Sequence, residues 1–222
     1  MAPAKSGPDM TAADSRSADR NAQKRQLILE AARRVFQAEG LDGASLRAIA
    51  LEAGYTPAAL YFHFDSKETI YAEVLQDSLG LLARRMSIAA ARSPLAAQRL
   101  RDTAMAFFNF YAENPRDLDL GFYLLRGGMR PKGLGRDRDR KLNAALAHAL
   151  DPIAQAALAL GAKPDVGRRL LVEVFAHAAG VLLLAHTGRI RMFDASAPDL
   201  MQRYIDDRIR ELESSNHANT DS

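Results

Sequence analysis

The most informative part of the sequence is residues 28–75, ILEAARRVFQAEGLDGASLRAIALEAGYTPAALYFHFDSKETIYAEVL. Its apolar residues recur at helical spacing up to Gly40, where a left-handed cap is expected to end a first helix. Ser45 is a good N-cap for a second helix that ends at Gly54, and Thr56 caps a third helix. The stretch therefore predicts three helices, of which the second and third are short and are joined by a tight, glycine-containing turn.

Two short helices held on a longer one make up a helix-turn-helix, which places its second helix in the major groove of DNA. The stretch resembles the DNA-binding module of the tetracycline-repressor (TetR) family over about residues 22–75. The matching features are AxxxFxxxG in the first helix, a Ser/Thr-led second helix, the AxxxG turn from Ala50 to Gly54, LYFHF and SKE. The resemblance implies a homodimeric transcriptional regulator, a repressor that a small molecule releases from a pseudo-palindromic operator.

The family's DNA-contacting positions carry over residue by residue to the second helix, the third helix and the start of the fourth. They are Ser45, Arg47, Tyr55, Thr56, Pro57, Ala58, Ala59, Tyr61, Phe62, His63 and Lys67. The hydroxyl and imidazole groups in this set can donate hydrogen bonds to phosphate. Phe62 has two readings, because it either faces the groove or belongs to the core of the module.

Direct base reading is expected to be sparse in this module. Arg47 can donate two hydrogen bonds to guanine O6 and N7, whereas residues 57–59 have no hydrogen-bonding side chain and can only contact thymine methyl groups. We therefore expect Arg47 to supply most of the base discrimination, with help from Tyr55 and Tyr61. Lys67 is expected to bind the phosphate backbone as a point charge.

The composition is that of a folded protein rich in helix formers. Of the 222 residues, 48% are apolar, 26% are charged and only 7% are aromatic, which excludes collagen and wholesale disorder and argues against a β-sandwich. The absence of Cys excludes disulfides, thiolate zinc sites and a cysteine nucleophile. The net charge of +3 is mild, so a nucleic-acid partner has to be argued from local arrangement.

Apolar periodicity and the positions of Pro and Gly predict an all-α fold of about nine helices without strands. Residues 1–18 and 214–222 lack periodicity and are predicted to be disordered tails. Residues 19–65 form the predicted helix-turn-helix domain, and residues 66–213 form a helical body for ligand binding and dimerisation. The predicted helices of the module begin at about Arg20, Ser45 and Thr56, and those of the body lie at about 66–91, 95–113, 115–126, 137–160, 164–187 and 197–213.

The most apolar segment is residues 170–186, LLVEVFAHAAGVLLLAH. It is about 17 residues long and contains Glu173 and His177, which makes it too short and too polar for a membrane-spanning helix. The first 20 residues lack the apolar run of a secretory signal. We therefore expect a cytoplasmic protein without a membrane partner, in which this segment is a buried helix.

Aromatic side chains concentrate in the fifth and sixth predicted helices, where they either line an apolar cavity or fill the core. The resemblance favours a cavity that holds a small-molecule ligand of unknown identity. The candidate lining residues are Met105, Phe108, Tyr111, Phe122, Tyr123, Arg126, His148, Phe175 and His177.

Residues 126–141, RGGMRPKGLGRDRDRK, contain seven basic and two acidic residues, a net charge of +5. This segment is either a solvated loop or a gate that favours an anionic ligand. Helices 164–187 and 197–213 are apolar enough to need burial by the core or by a second subunit. The resemblance favours a two-fold dimer through these two helices.

An enzyme is a rival class of function. Glu173 and His177 are four residues apart, and His148 lies near Asp151, so either pair could bind a metal or act as acid and base. Because no third ligand, phosphate loop or nucleophile motif accompanies them, we expect no catalytic residue, metal or cofactor. A second rival is a DNA-binding protein of this fold without ligand control, which marks chromosomal sites or activates transcription.

Overall fold

The computed structural model describes residues 12–121 and 134–220. Within these residues all regular structure is helical, with nine α-helices, one 3-10 helix and no strand, as the sequence predicts. The chain divides into two compact units between Val74 and Leu75, which we call the head and the body.

The head contains α1 (Ala12–Gly43), α2 (Leu46–Glu52), α3 (Pro57–His63) and the beginning of α4 (Lys67–Ala91). The body contains the rest of α4, α5 (Ala96–Glu113), α6 (Pro115–Gly121), α7 (Arg136–Ala159), α8 (Pro164–His186), the 3-10 helix (Arg189–Phe193) and α9 (Ala197–Thr220).

Two helices extend into segments that the sequence predicts to be tails. α1 begins at Ala12, eight residues before the predicted start, and α9 continues to Thr220. Neither extension contains Gly or Pro, so nothing in the local sequence stops the helix. The predicted end of the first helix is right, because Gly40 has a non-helical φ of 71° and ψ of 179°.

The boundary between the units lies nine residues after the predicted one at 65/66. The reason is that the first turns of α4 pack into the head. Ile70, Tyr71 and Val74 are buried, and the ring of Tyr71 meets that of Phe36 in α1 edge to face, with 4.8 Å between the centroids. The head therefore needs these two turns of α4 to complete its core.

Arg25 in α1 holds the end of α3 and the start of α4 together. Its Nη1 donates to the carbonyl oxygen of His63 at 3.1 Å, and its Nη2 pairs with the carboxylate of Glu73. The guanidinium group also lies over the ring of Phe64, 4.2 Å from its centroid. One side chain thus supplies a helix-end carbonyl with a donor and makes a cation–π contact at the same point.

In the body, α8 packs against α5, α7 and α9. Its buried residues include Leu170, Val174, Ala178 and Leu182, so it contributes to the core as predicted. The predicted helix at about 164–187 agrees with the bounds of α8. By length and composition alone this helix of 23 residues could cross a membrane, contrary to the expectation that its apolar segment is too short, because its most apolar stretch of 18 residues has a mean hydropathy of 1.5. A core helix of a water-soluble protein passes the same test, so this property is weak evidence for a membrane.

Replacing Arg25 by Met should loosen α3. The change removes the donor to His63 and the ion pair with Glu73, and we expect a loss of about 1–2 kcal/mol in local stability. Amide hydrogen exchange of residues 56–66 should then become about 5–30-fold faster, while residues 170–182 of α8 should exchange as before. Equal exchange of residues 56–66 in both proteins would contradict this role for Arg25.

Candidate nucleic-acid interface and ligand cavity

The turn between α2 and α3 depends on a glycine and on two capping hydroxyls. Gly54 has a φ of +72°, a left-handed conformation that L side chains rarely adopt. The hydroxyl of Ser45 accepts from the Ala48 N–H at 3.1 Å, and that of Thr56 accepts from the Ala59 N–H at 3.2 Å. Each hydroxyl keeps its own proton, which can be donated to a phosphate.

α3 buries one side and exposes the other. Leu60 is fully buried, whereas Pro57 and Ala58 are exposed. Tyr61 is 60% exposed and Phe62 is 82% exposed. Of the two readings of Phe62, the structure therefore shows the outward-facing one. The ring of His63, which is half-buried, meets that of Phe62 edge to face at 5.4 Å.

α2 presents Arg47 to solvent near its N-terminus. Within the part of the chain that the structure describes, no hydrogen bond or ion pair engages this guanidinium group, so its donors are available to a base edge or a phosphate. Tyr55 is half-buried, and Ala59 is half-buried as well. Of the two tyrosines expected to assist Arg47, Tyr61 is thus the more accessible.

Lys67 occupies a different environment from the one the sequence suggests. Its ammonium group donates to the carbonyl oxygens of Leu41, Asp42 and Ala44, at 2.8, 3.3 and 3.0 Å. An ammonium group has three protons, and all three have acceptors here. In this conformation Lys67 connects the first turn of α4 to the end of α1 and to Ala44, and phosphate binding by Lys67 stays a prediction.

An apolar cavity of about 110 Å³ lies in the body between α4, α5, α6, α7 and α8. Leu75, Leu79 and Leu142 line it, and Asp139 and Asn143 are polar groups in its wall. Drug-sized ligands usually occupy pockets of roughly 300–1,000 Å³. A ligand of that size would have to displace lining side chains.

The structure brings two of the nine predicted ligand residues, Tyr111 and Phe175, to this cavity. Met105 is half-buried, and Phe108 is buried away from the cavity. His148 is exposed, because two residues after the cavity-lining Leu146 it lies on the opposite side of α7. Phe122, Tyr123 and Arg126 lie outside the described residues.

Next to the cavity, a buried hydrogen bond joins α4 to α6. The hydroxyl of Ser78 donates to the carboxylate of Asp117 at 2.7 Å. Burial raises the pKa of the Tyr111 hydroxyl above its usual range, and the negative charge of Asp117 adds to the shift. Tyr111 therefore stays neutral at physiological pH and keeps a hydroxyl proton in the cavity wall.

His177 is also removed from the cavity. Its ring stacks on that of Tyr204 in α9, with 4.0 Å between centroids and 10° between planes. Burial lowers the pKa of His177, which a hydrogen bond with the main chain of Leu200 partly offsets. Among the described residues, no group of three or more His, Asp or Glu is placed to hold a metal ion.

The charged segment 126–141 is only partly described. Residues 126–133 lie outside the described residues, and α7 begins at Arg136. The carboxylate of Asp139 accepts from the main-chain N–H of Leu134 at 2.9 Å, and Arg138 donates to the Leu134 carbonyl at 3.2 Å. Whether this segment gates the cavity stays a prediction.

Comparison with known proteins identifies the family of this chain. Residues 28–74 match the family described as bacterial regulatory proteins, tetR family. The chain is 31% identical over 133 residues to the HTH-type transcriptional repressor AcnR of Corynebacterium diphtheriae, a match that covers 52% of this chain and 69% of that protein. The chain belongs to the TetR family.

Two further comparisons give the extent of the similarity to known proteins, one in sequence and one in fold. The HTH-type transcriptional regulator UidR of Escherichia coli (strain K12) is 46% identical over 61 residues, which are 27% of this chain and 31% of UidR. The chain thus matches less than a third of the length of that relative. The regulator FadR of Bacillus subtilis, solved in complex with stearoyl-CoA, superposes with a TM-score of 0.64 over 82% of this chain and 95% of FadR at 16% identity, which shows the shared TetR fold.

Arg47 and Lys67 should behave differently when DNA binding is measured as a function of salt concentration. Lys67→Met removes the three hydrogen bonds to the carbonyls. Because this disturbs the head but removes no phosphate contact, we expect weaker DNA binding with an unchanged slope of log K against log salt concentration. Arg47→Ala should cost about 1–3 kcal/mol on a preferred site and should relax the preference at one position. A slope reduced by about 0.9 per head in Lys67→Met would instead show that Lys67 binds a phosphate.

Proposed function

We propose that this TetR-family protein is a cytoplasmic transcriptional repressor that binds a pseudo-palindromic DNA operator as a homodimer. The observation that carries the proposal is the exposed face of α3, a helix whose other side is fixed in the core of a helix-turn-helix. The match to the repressor AcnR extends into the body and supports repression. The described residues hold no group suited to metal catalysis, and no enzymatic role is proposed.

Selection of binding sequences from random double-stranded DNA tests this proposal. The full-length protein should enrich an inverted repeat, because two recognition helices related by two-fold symmetry read half-sites about 34–36 Å apart or a multiple of that distance. A single half-site, or no enriched sequence, would contradict the proposed function. Arg47→Ala carried through the same selection is the matched control for specific against nonspecific binding.

The exposed apolar surface of α8 supports the homodimer. Only 28% of its most apolar window is buried within this chain, and Val172 and Leu183 are 60% and 62% exposed. Ala176 and Gly180, small residues between them on the same side of the helix, are exposed as well. An apolar helix face with small residues allows close approach of a second helix, and its exposure to water is unfavourable.

Leu183→Arg should therefore convert the dimer into a monomer, because it places a charge in the apolar interface. Sedimentation of the wild-type protein at micromolar concentration should give about twice the mass of one chain. Ile88→Arg, at a comparably exposed position on α4, should remain dimeric. A monomeric wild-type protein would contradict the dimer and the inverted repeat together.

We also propose that a small, mostly apolar ligand in the body controls the affinity for DNA through α4. This helix runs unbroken from Lys67 to Ala91. In the head it is held by Arg25 and Lys67, and in the body Ser78 bonds to Asp117 and Arg85 pairs with Glu113 at 2.6 Å. A ligand that favours the arrangement of α4 with low DNA affinity would release the operator, as population shift requires.

A cavity-filling substitution, Leu79→Trp, should separate ligand control from DNA binding. A screen of small apolar acids, alcohols and amines by thermal unfolding should find a compound that stabilises the wild-type protein by about 2.7 kcal/mol at 100 times its Kd. The same compound should leave Leu79→Trp unaffected and should still stabilise Ile88→Trp. It should also release DNA from the wild-type protein and from Ile88→Trp, but not from Leu79→Trp.

The second candidate function is a TetR-family DNA-binding protein without ligand control. The small size of the cavity, about 110 Å³, favours it over a regulator with a preformed pocket of drug size. The same screen decides between the two. If no compound distinguishes the wild-type protein from Leu79→Trp, the function without ligand control is the better account.

A further inference from the structure

The exposed face of α3 is defined by helical geometry and by burial. At 100° per residue, Pro57, Ala58, Tyr61 and Phe62 fall within an arc of about 140°. All four are exposed, and Leu60 on the other side is fully buried. The surface that α3 can offer to a partner is therefore made of these four side chains, which we call the α3 face.

The α3 face is almost entirely apolar. It contains no amide, carboxylate, guanidinium or ammonium group, and the Tyr61 hydroxyl is its one polar side-chain group. Guanine, adenine and cytosine present hydrogen-bonding groups in the major groove, and an apolar surface pressed on such groups leaves them without partners. Thymine also has an acceptor there, O4, but it alone adds an apolar group, the C5-methyl, that projects into the major groove.

We propose that the α3 face recognises thymines in the operator by apolar contact of Pro57, Ala58 and Phe62 with C5-methyl groups. The proposal rests on the proposed function, since it assumes that α3 enters the major groove, and it names what the helix reads there. It also accounts for Phe62, whose ring is 82% exposed in the free chain. Contact with a methyl group removes apolar surface on both sides from water, which favours binding.

The flanking groups fit the same arrangement. Ser45 and Arg47 at the start of α2 and Thr56 at the N-cap of α3 are exposed, and they supply the hydrogen-bond donors that the α3 face lacks. Arg47 is then the reader of a guanine at one position, and the α3 face is the reader of thymines at neighbouring positions. Phosphate contacts by the flanking hydroxyls would fix the register but carry no sequence information.

The substitution of uracil for thymine tests this inference, because uracil pairs with adenine in the same way and lacks only the methyl group. The operator would first be obtained by selection from random DNA with the full-length protein. Each thymine of one half-site would then be replaced singly by deoxyuridine, and Kd measured by fluorescence anisotropy at one salt concentration. At one or more thymines we expect Kd to rise about fourfold, the equivalent of one buried methyl group.

A double-mutant cycle assigns the effect to the protein side. Phe62→Ala removes an exposed ring and should leave the fold intact, which circular dichroism checks. In this variant, or in Pro57→Ala, the ratio of Kd with uracil to Kd with thymine at the contacted position should fall to about one. Ile88→Ala changes a residue of α4 outside the head and should keep the wild-type ratio of Kd values.

Three results would overturn the inference. If uracil binds as well as thymine at every position of a selected operator, thymine methyl groups are not read, although the proposed function stands. If the selected half-sites contain no A·T pair, the same conclusion follows. If no sequence is enriched at all, the proposed function fails first and the inference fails with it.

Discussion

The geometry of the head depends on two cationic side chains that supply hydrogen-bond donors to main-chain carbonyls. Helix ends leave carbonyl groups without partners inside the helix, and buried ones need a donor from elsewhere. Arg25 provides one at the end of α3, and Lys67 provides three to the end of α1 and to Ala44. Arg25 also pairs with Glu73 of α4, and Lys67 is the first residue of α4, so these two side chains fix the start of α4 to α1 and to the end of α3.

α4 is the element that contributes residues to both units of the chain. Its first two turns complete the core of the head, with Tyr71 packed on Phe36. Its later turns belong to the body, where Leu75 and Leu79 form part of the cavity wall. In the proposed mechanism, a ligand in the cavity acts on α4, whose first two turns belong to the head.

The sequence was sufficient for the features that local chemistry determines. Ser45 and Thr56 are N-caps with the expected hydrogen bonds, and Gly40 and Gly54 interrupt helices at the expected points. Each of these depends on residues within a few positions of one another. The extent of α1 and α9 was underestimated because polar residues without breakers form helix and loop equally well by pattern alone.

The features that the sequence could not provide are those that join distant parts of the chain. Arg25 meets partners 38 and 48 residues away, and Lys67 meets carbonyls 23–26 residues away. No local signal marks either residue as structural, and a lysine before an acidic helix start resembles a phosphate ligand. The cavity was predicted from the concentration of aromatic residues and from the family resemblance, and neither distinguishes a residue that lines the cavity, such as Tyr111, from one that fills the core, such as Phe108.

The most direct test of this account is a crystal structure of the protein bound to its selected operator. The account predicts α3 in the major groove, with the ring of Phe62 within about 4–4.5 Å of a thymine methyl group. The ammonium group of Lys67 should remain bonded to the carbonyls of Leu41, Asp42 and Ala44. A complex in which α3 lies outside the groove, or in which Lys67 has left these carbonyls for a phosphate, would contradict it.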